Sequence, residues 1–127
     1  MKILCGTDII EIDRIENSIN NLGSSLLNRI FTEYEQYYCE SRIKGKYQSY
    51  AARYAAKEAV VKAFGTGISN GINFTDIEIT NLESGKPVVT LYNSALTYFK
   101  TLNCISIDIS LSHCKNTAVA YAVMLVK

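Results

Sequence analysis

Residues 50–64, YAARYAAKEAVVKAF, set alanines at 52, 56, 59 and 63. Wound at about 100° per residue, these four fall in one narrow stripe. Small side chains at that spacing predict a helix whose backbone approaches a sheet closely. Arg53 and Lys57 share one flank, and Glu58 and Lys62 share another. The helix therefore reads as a packed back with two charged edges. Ser49 is the expected N-cap, and Gly65 the expected stop. Arg53 and Lys57 form a like-charge pair at four-residue spacing, which costs an isolated helix a few tenths of a kcal/mol. The loop that follows, GTGISNG, holds three glycines in seven residues. Such a loop permits positive φ and close backbone approach, and exposed amides in it can hold a phosphate. Gly65 is also an ordinary helix C-cap, and Lys62 an ordinary last-turn cation.

Around this helix the chain divides in character. KILCGTDII reads as a strand. IDRIENSINNL reads as a helix with Ile12, Ile15, Ile19 and Leu22 on one face, a capping box at Asp13 and Glu16, and Gly23 as its end. SSLLNRIF adds a turn or two of helix. TEYEQYYCESRI opens with a second capping box, Thr32 and Glu35, and Gly45 breaks it. The second half reads as a hairpin over TDIEITNLESGKPVVTLY, a short helix over SALTYFKTL, and two strands. Pro87, the single proline, lacks an amide proton and must begin its strand or lie on an edge. CISIDISLS alternates, with Ile105, Ile107, Ile109 and Leu111 on one face. TAVAYAVMLV is apolar on both faces and reads as a central strand. The expected class is α+β, with N-terminal helices packed on a mainly antiparallel sheet. The 127 residues suit one domain over 1–127.

The bulk properties exclude several classes. No apolar run is long enough to span a bilayer, and MKILCGTDIIEI has acids where a signal peptide carries its apolar stretch. A soluble, cytoplasmic protein is expected. The four cysteines form no Cys-x-x-Cys pair, and His113 is the only histidine, so the expected thiols are reduced and mostly buried. Net charge is +1, but residues 42–62 carry six bases and one acid. A basic stripe of that kind serves phosphates of a small molecule, nucleic acid or an acidic protein, or is simply a solvated face. Asp8, at the end of the first strand, reads as a loop acid or a metal ligand. Lys86 stands at a hairpin tip, and His113 reads as a turn residue.

Five stretches, in this order, resemble the holo-[acyl-carrier-protein] synthase family of short phosphopantetheinyl transferases. They are GTDIIEIDRI, FTEYE, RYAAKEAVVKAFGTGI, TDIEITNLESGKPVV and ISLSHCKNTAVAYAV, and together they cover nearly the whole chain. The resemblance implies a 4′-phosphopantetheinyl transferase-like fold. It implies transfer of 4′-phosphopantetheine from coenzyme A to a serine of apo-acyl carrier protein, with magnesium, releasing adenosine 3′,5′-bisphosphate in support of fatty acid biosynthesis. By position, Asp8 and Glu58 are then the metal acids, a donor set that suits magnesium. Lys62 is the cation on the diphosphate, and Gly65, Thr66 and Gly67 border the nucleotide. Arg53, Lys86, Pro87 and His113 fall at the remote nucleotide end of coenzyme A, and Arg14 at the carrier-docking face. Glu35 matches a family acid and is a candidate base through water, against its plain reading as half of a capping box. Glu58 or a metal-bound hydroxide is the alternative. A homotrimer with sites between subunits is implied, Lys86 and Pro87 coming from the neighbour. Asn20, Asn21, Ser24 and Ser25 stand where many relatives are more basic, and Arg29, Arg42, Lys44 and Lys46 are candidates to compensate. The rivals are a magnesium phosphohydrolase, a nucleic-acid-binding module, and an inactive paralogue. Retention of Asp8, Glu58, Lys62 and the Gly-Thr-Gly loop argues against the last.

Overall fold

The computed structural model describes residues 1–68 and 71–127. Strand β1 (Lys2–Glu11) runs directly into helix α1 (Ile12–Leu22), followed by α2 (Ser24–Ile30), α3 (Glu33–Glu40) and the long α4 (Lys46–Phe64). A single 3-10 turn, Phe74–Asp76, leads into β2 (Ile77–Asn81) and β3 (Pro87–Leu91). Helix α5 (Asn93–Thr101) and strands β4 (Cys104–His113) and β5 (Thr117–Val126) complete the chain. The main sheet has the order β1-β5-β4, and β2 with β3 forms a separate two-stranded ladder. Every ladder among the described residues is antiparallel. This is the α+β class, and β5 is central as its two-sided apolar pattern requires.

The stripe of α4 does what its small residues predict. Ala52, Ala56, Ala59 and Ala63 are buried. The helix lies on β1 so closely that a Cβ placed on Gly6 would sit 2.1 Å from the Ala59 carbonyl oxygen and 2.6 Å from the Ala63 nitrogen. Gly6 is therefore required for space and not for its backbone angles. Strand alternation does the rest. Gly6 and Asp8 share the face that α4 covers, so Asp8 is carried under the helix two residues on. On β5 the same face presents Ala118, Ala120, Ala122 and Met124, all buried. The opposite face of the sheet is open and largely apolar over β1 and β5, where Ile3, Ile9, Val119, Tyr121 and Val123 are exposed, while β4 adds Asp108, Ser110 and Ser112 to it.

Several local expectations are corrected. The Asp13–Glu16 box does not form. Helix α1 starts from Glu11 with no side-chain cap, and the Ile12 amide donates instead to the Asn116 carbonyl at 2.9 Å, in the β4–β5 turn. Ile12, Ile15 and Ile19 are buried, but Leu22 is exposed at the helix end. Helix α4 begins one turn earlier than Ser49, because Gly45 takes φ 86° and starts it. A bulge between Cys104 and Ser106 shifts the register of β4. It buries Cys104 and turns Ile105 out, so the predicted four-residue apolar face is one residue short. Two thiols, Cys39 and Cys104, are buried, while Cys5 and Cys114 are exposed, and all four are free. The Thr32–Glu35 box is present, Gly65 ends α4 at φ 83°, and Pro87 is the first residue of its strand.

The seat of α4 on Gly6 generates the first prediction. Gly6→Ala pushes a methyl into backbone, which cannot yield as a side chain does. The loss is expected to be at least about 3 kcal/mol, a fall of roughly 10 °C in thermal midpoint. A circular-dichroism melt with less than half that shift would show that the helix can lift at little cost.

Candidate active site

Asp8 arrives from β1 and Lys62 from the last turn of α4. The Lys62 ammonium lies 3.0 Å from Asp8 Oδ1 and 3.0 Å from the Thr7 carbonyl. The Thr7 hydroxyl donates to the Ala120 carbonyl at 3.0 Å, which fixes the strand beside it. Glu58 stands one helical turn before Lys62 on the same edge. Asp8, Glu58, Tyr54 and Arg14 line one open cleft of about 350 Å³, with Arg29 and Ile30 on its α2 side. Burial, and next the charge of Asp8, raise the pKa of Glu58, while Lys62 and the Tyr54 hydroxyl pull it down. The pKa of Tyr54 is raised by burial first and then by Glu58 and Asp8. Two carboxylates brought together against their own repulsion, with one cation beside them, form a donor set for a hard divalent cation. Among the described residues no cluster of three or more His, Cys, Asp or Glu is present. A pair of acids completed by water and phosphate oxygens is what magnesium favours.

Gly65, Thr66 and Gly67 follow Lys62 directly. Gly65 and Gly67 take φ 83° and 68°, and nothing lies within 4 Å of a Cβ placed on either. The loop therefore offers open backbone beside the cation. Of the same GTGISNG stretch, Ser69 and Asn70 lie outside the described residues.

A second cleft, about 440 Å³, gathers Arg53, Pro87 and His113. Arg42, Lys44 and Gln48 line it as well. Arg53 is buried, its guanidinium 4.2 Å over the Tyr38 ring and one terminal nitrogen donating to Asn81 Oδ1. Its Nε is buried with no partner among the described residues. Lys86 is not in this cleft. Its exposed ammonium pairs with Asp108 Oδ1 at 3.0 Å on the outward side of β4. The two clefts have no lining residue in common. Within one protomer, then, the expected site residues fall into two groups: Asp8, Glu58 and the docking candidate Arg14 line the first cleft, with Lys62 tied to it through Asp8, and Arg53, Pro87 and His113 line the second.

Glu35 belongs to neither cleft. It is wholly buried, and its carboxylate accepts from the Thr32 amide at 2.8 Å, the Ile79 amide at 2.7 Å and the Lys57 ammonium at 2.7 Å. No oxygen of it is turned to a solvent-filled site, and its position is that of a structural anion. Lys57 is equally buried, so the charged edge drawn through Arg53 and Lys57 is an interior edge. The basic segment 42–62 is thereby broken up. Lys46 pairs with Glu40 and Lys62 with Asp8, which leaves no continuous basic face on α4. What sequence reasoning missed is the grouping of Arg42, Lys44 and Gln48 with Arg53. Its one visible signal was the cluster of bases just before the helix.

The chain matches the family model described as the 4′-phosphopantetheinyl transferase superfamily over residues 4–122. It is 54% identical over 124 residues to a holo-[acyl-carrier-protein] synthase of Ruminiclostridium cellulolyticum, covering 98% of this chain and 92% of that one. Its fold is similar to the crystal structure of the Helicobacter pylori holo-[acyl-carrier-protein] synthase in complex with coenzyme A, with TM-score 0.85 and 32% identity over 96% of this chain and all of that one. It is also similar to the Bacillus anthracis synthase in complex with CoA (3′,5′-ADP), with TM-score 0.80 and 36% identity over 98% and 96% of the two chains.

The raised affinity of Glu58 for a proton has a sign that can be measured. A carboxyl bound more tightly to its proton in the folded chain stabilises the fold below its unfolded pKa, about 4.3. That contribution is lost as the pH rises through the folded value. At pH 7 the ionised Glu58 is thus a cost, and Glu58→Gln is expected to raise the midpoint of the metal-free protein. The gain should shrink toward pH 4. A variant less stable than the parent at pH 7 would mean that Lys62 outweighs burial and Asp8.

Proposed function

Because the chain belongs to the 4′-phosphopantetheinyl transferase superfamily, we propose that it transfers 4′-phosphopantetheine from coenzyme A to a serine of apo-acyl carrier protein. The proposal extends to magnesium dependence, to release of adenosine 3′,5′-bisphosphate, and to a cytoplasmic role in fatty acid biosynthesis. One observation carries it: Asp8 and Glu58, from a strand and a helix 50 residues apart in sequence, line one cleft, and Lys62, three residues before the Gly-Thr-Gly loop, pairs with Asp8.

In the reaction the serine oxygen forms a bond to the pantetheine-bearing phosphorus, and the bond from that phosphorus to the bridging diphosphate oxygen breaks. The leaving group is the 5′-phosphate of adenosine 3′,5′-bisphosphate. Negative charge grows on that phosphate, and Lys62, held in place by Asp8 and the Thr7 carbonyl, is set to meet it. Asp8 and Glu58 would hold magnesium, which when bound supplies positive charge at the diphosphate. Of the two acids in the cleft, Asp8 is paired with Lys62 and Glu58 is the one assigned to take the serine proton, whereas Glu35 is enclosed. Gly65, Thr66 and Gly67 border the nucleotide. Arg14 and Arg29 flank the acids on the cleft's helical side and suit an acidic carrier helix.

The second cleft fits the 3′-phosphate and adenine end. Arg53 carries an unpartnered Nε there, with His113, Arg42 and Lys44 beside it. Since its lining is separate from that of Asp8 and Glu58, the two halves of one site are best joined across protomers. The uncovered apolar sheet face, with Ile3, Ile9, Val119, Tyr121 and Val123 exposed, supports a homotrimer that would do so. Pro87 and Lys86 then come from the neighbour, and phosphate competes with Asp108 for Lys86.

The direct test mixes the protein with apo-acyl carrier protein, coenzyme A and magnesium, with and without a chelator, and reads the carrier's mass. Phosphopantetheinyl addition that disappears with chelator is expected. Lys62→Ala should lower kcat about 10²–10³-fold. Lys86→Ala should weaken coenzyme A binding more than it slows turnover. Retained affinity with a reduced maximal rate would remove Lys86 from the nucleotide end.

A further inference from the structure

Lys57 is next to Glu58 in sequence but turns inward, and its side chain is 0% exposed. A buried ammonium is heavily penalised unless each of its protons finds an acceptor. All three do: the Ile30 carbonyl at 2.7 Å, Glu35 Oε1 at 2.7 Å and the Phe74 carbonyl at 3.0 Å. The Phe31 ring lies 5.5 Å from the same nitrogen. Burial lowers the pKa of Lys57, and Glu35 is the main opposing influence. Glu35 spends its remaining capacity on the amides of Thr32 and Ile79. One ion pair thus fastens the end of α2, the start of α3, the 3-10 turn and β2 to α4.

Two of those acceptors belong to the wall of the cleft. Ile30 and Phe74 line it together with Glu58, and the Phe74 ring packs 5.6 Å from that of Tyr54, which lines it too. Lys57 itself lines neither cleft, so it touches no substrate. Its carbonyl contacts fix where the apolar wall stands relative to the acid one residue away.

We propose that the buried Lys57–Glu35 pair is a positioning device for the carrier protein, holding the Ile30–Phe74 wall at a set distance from Glu58. This rests on the transferase reading. It predicts a division of labour. Coenzyme A binding depends on the cation and loop side of α4, and carrier engagement depends on the wall that the pair holds.

The test uses Glu35→Gln and the double variant Lys57→Met/Glu35→Leu. A lone buried charge destabilises, and removing both partners together removes that cost. It also strips the Ile30 and Phe74 carbonyls and the Thr32 and Ile79 amides of their partners, so the double variant is expected to melt below the parent. Assayed below its midpoint, it is expected to bind coenzyme A within about twofold and to lose about ten- to a hundredfold in kcat/KM for the carrier, chiefly through KM. Parent-like carrier KM in the folded variant overturns the proposal, as does an equal loss of coenzyme A affinity. If the double variant does not fold, Glu35→Gln assayed below its midpoint is judged by the same split. If the parent protein transfers nothing, the transferase reading fails by itself, and amide exchange decides the positioning role. Faster exchange in Glu35→Gln confined to residues 27–31 and 72–79 supports it, and uniformly faster exchange overturns it.

Discussion

The contact of α4 with Gly6 is the constraint from which the rest of the arrangement follows. A helix normally rides on a sheet at side-chain distance, with about 10 Å between layers. Here the Ala59 and Ala63 backbone meets the strand with no side chain between them on the strand side. That approach brings the short Asp8 carboxylate within reach of Lys62. It also partly shields Glu58 from water. A wider gap would leave the same three residues as separate surface charges.

Electrostatics on α4 are divided by direction. One side sends Lys57 and Arg53 inward: Glu35 and two carbonyls consume Lys57, while a tyrosine face and Asn81 hold Arg53 at the wall of the second cleft. The other side leaves Glu58 and Lys62 near solvent, with Lys62 about half exposed and Asp8 largely covered. The Lys57–Glu35 pair organises the fold, and Glu58, Lys62 and Arg53 stand at or beside the clefts. Burial of this kind is weak evidence for added stability, but it fixes which elements meet.

Features governed by neighbours in sequence were legible: the alanine stripe, the Thr32–Glu35 box, the glycine stop at 65, the proline at the start of β3, and the two-sided apolar β5. Those that failed depended on partners distant in sequence. Asp13 and Glu16 have the spacing of a cap, but the β4–β5 turn reaches the helix start first through Asn116. Lys57 reads as a surface cation until Glu35, 22 residues away, closes on it. Glu35 reads first as half of a capping box and only second as a base, and Ile79, 44 residues on, shows that it is enclosed. The bulge at Cys104 leaves no local trace because it is a property of pairing with β5. Of the candidate site, the acids and Lys62 were legible through the family's motifs, and the separation of the nucleotide-end residues into another cleft was not.

Strand β1 passes into α1 without an intervening loop, and the first helical amide is tied to the β4–β5 turn. Asp8 and Arg14, six residues apart, are thus joined through a strand-to-helix corner that has no loop residue and is pinned by Asn116. A displacement of α1 therefore meets no connecting loop in which to be absorbed before it reaches the strand that carries Asp8.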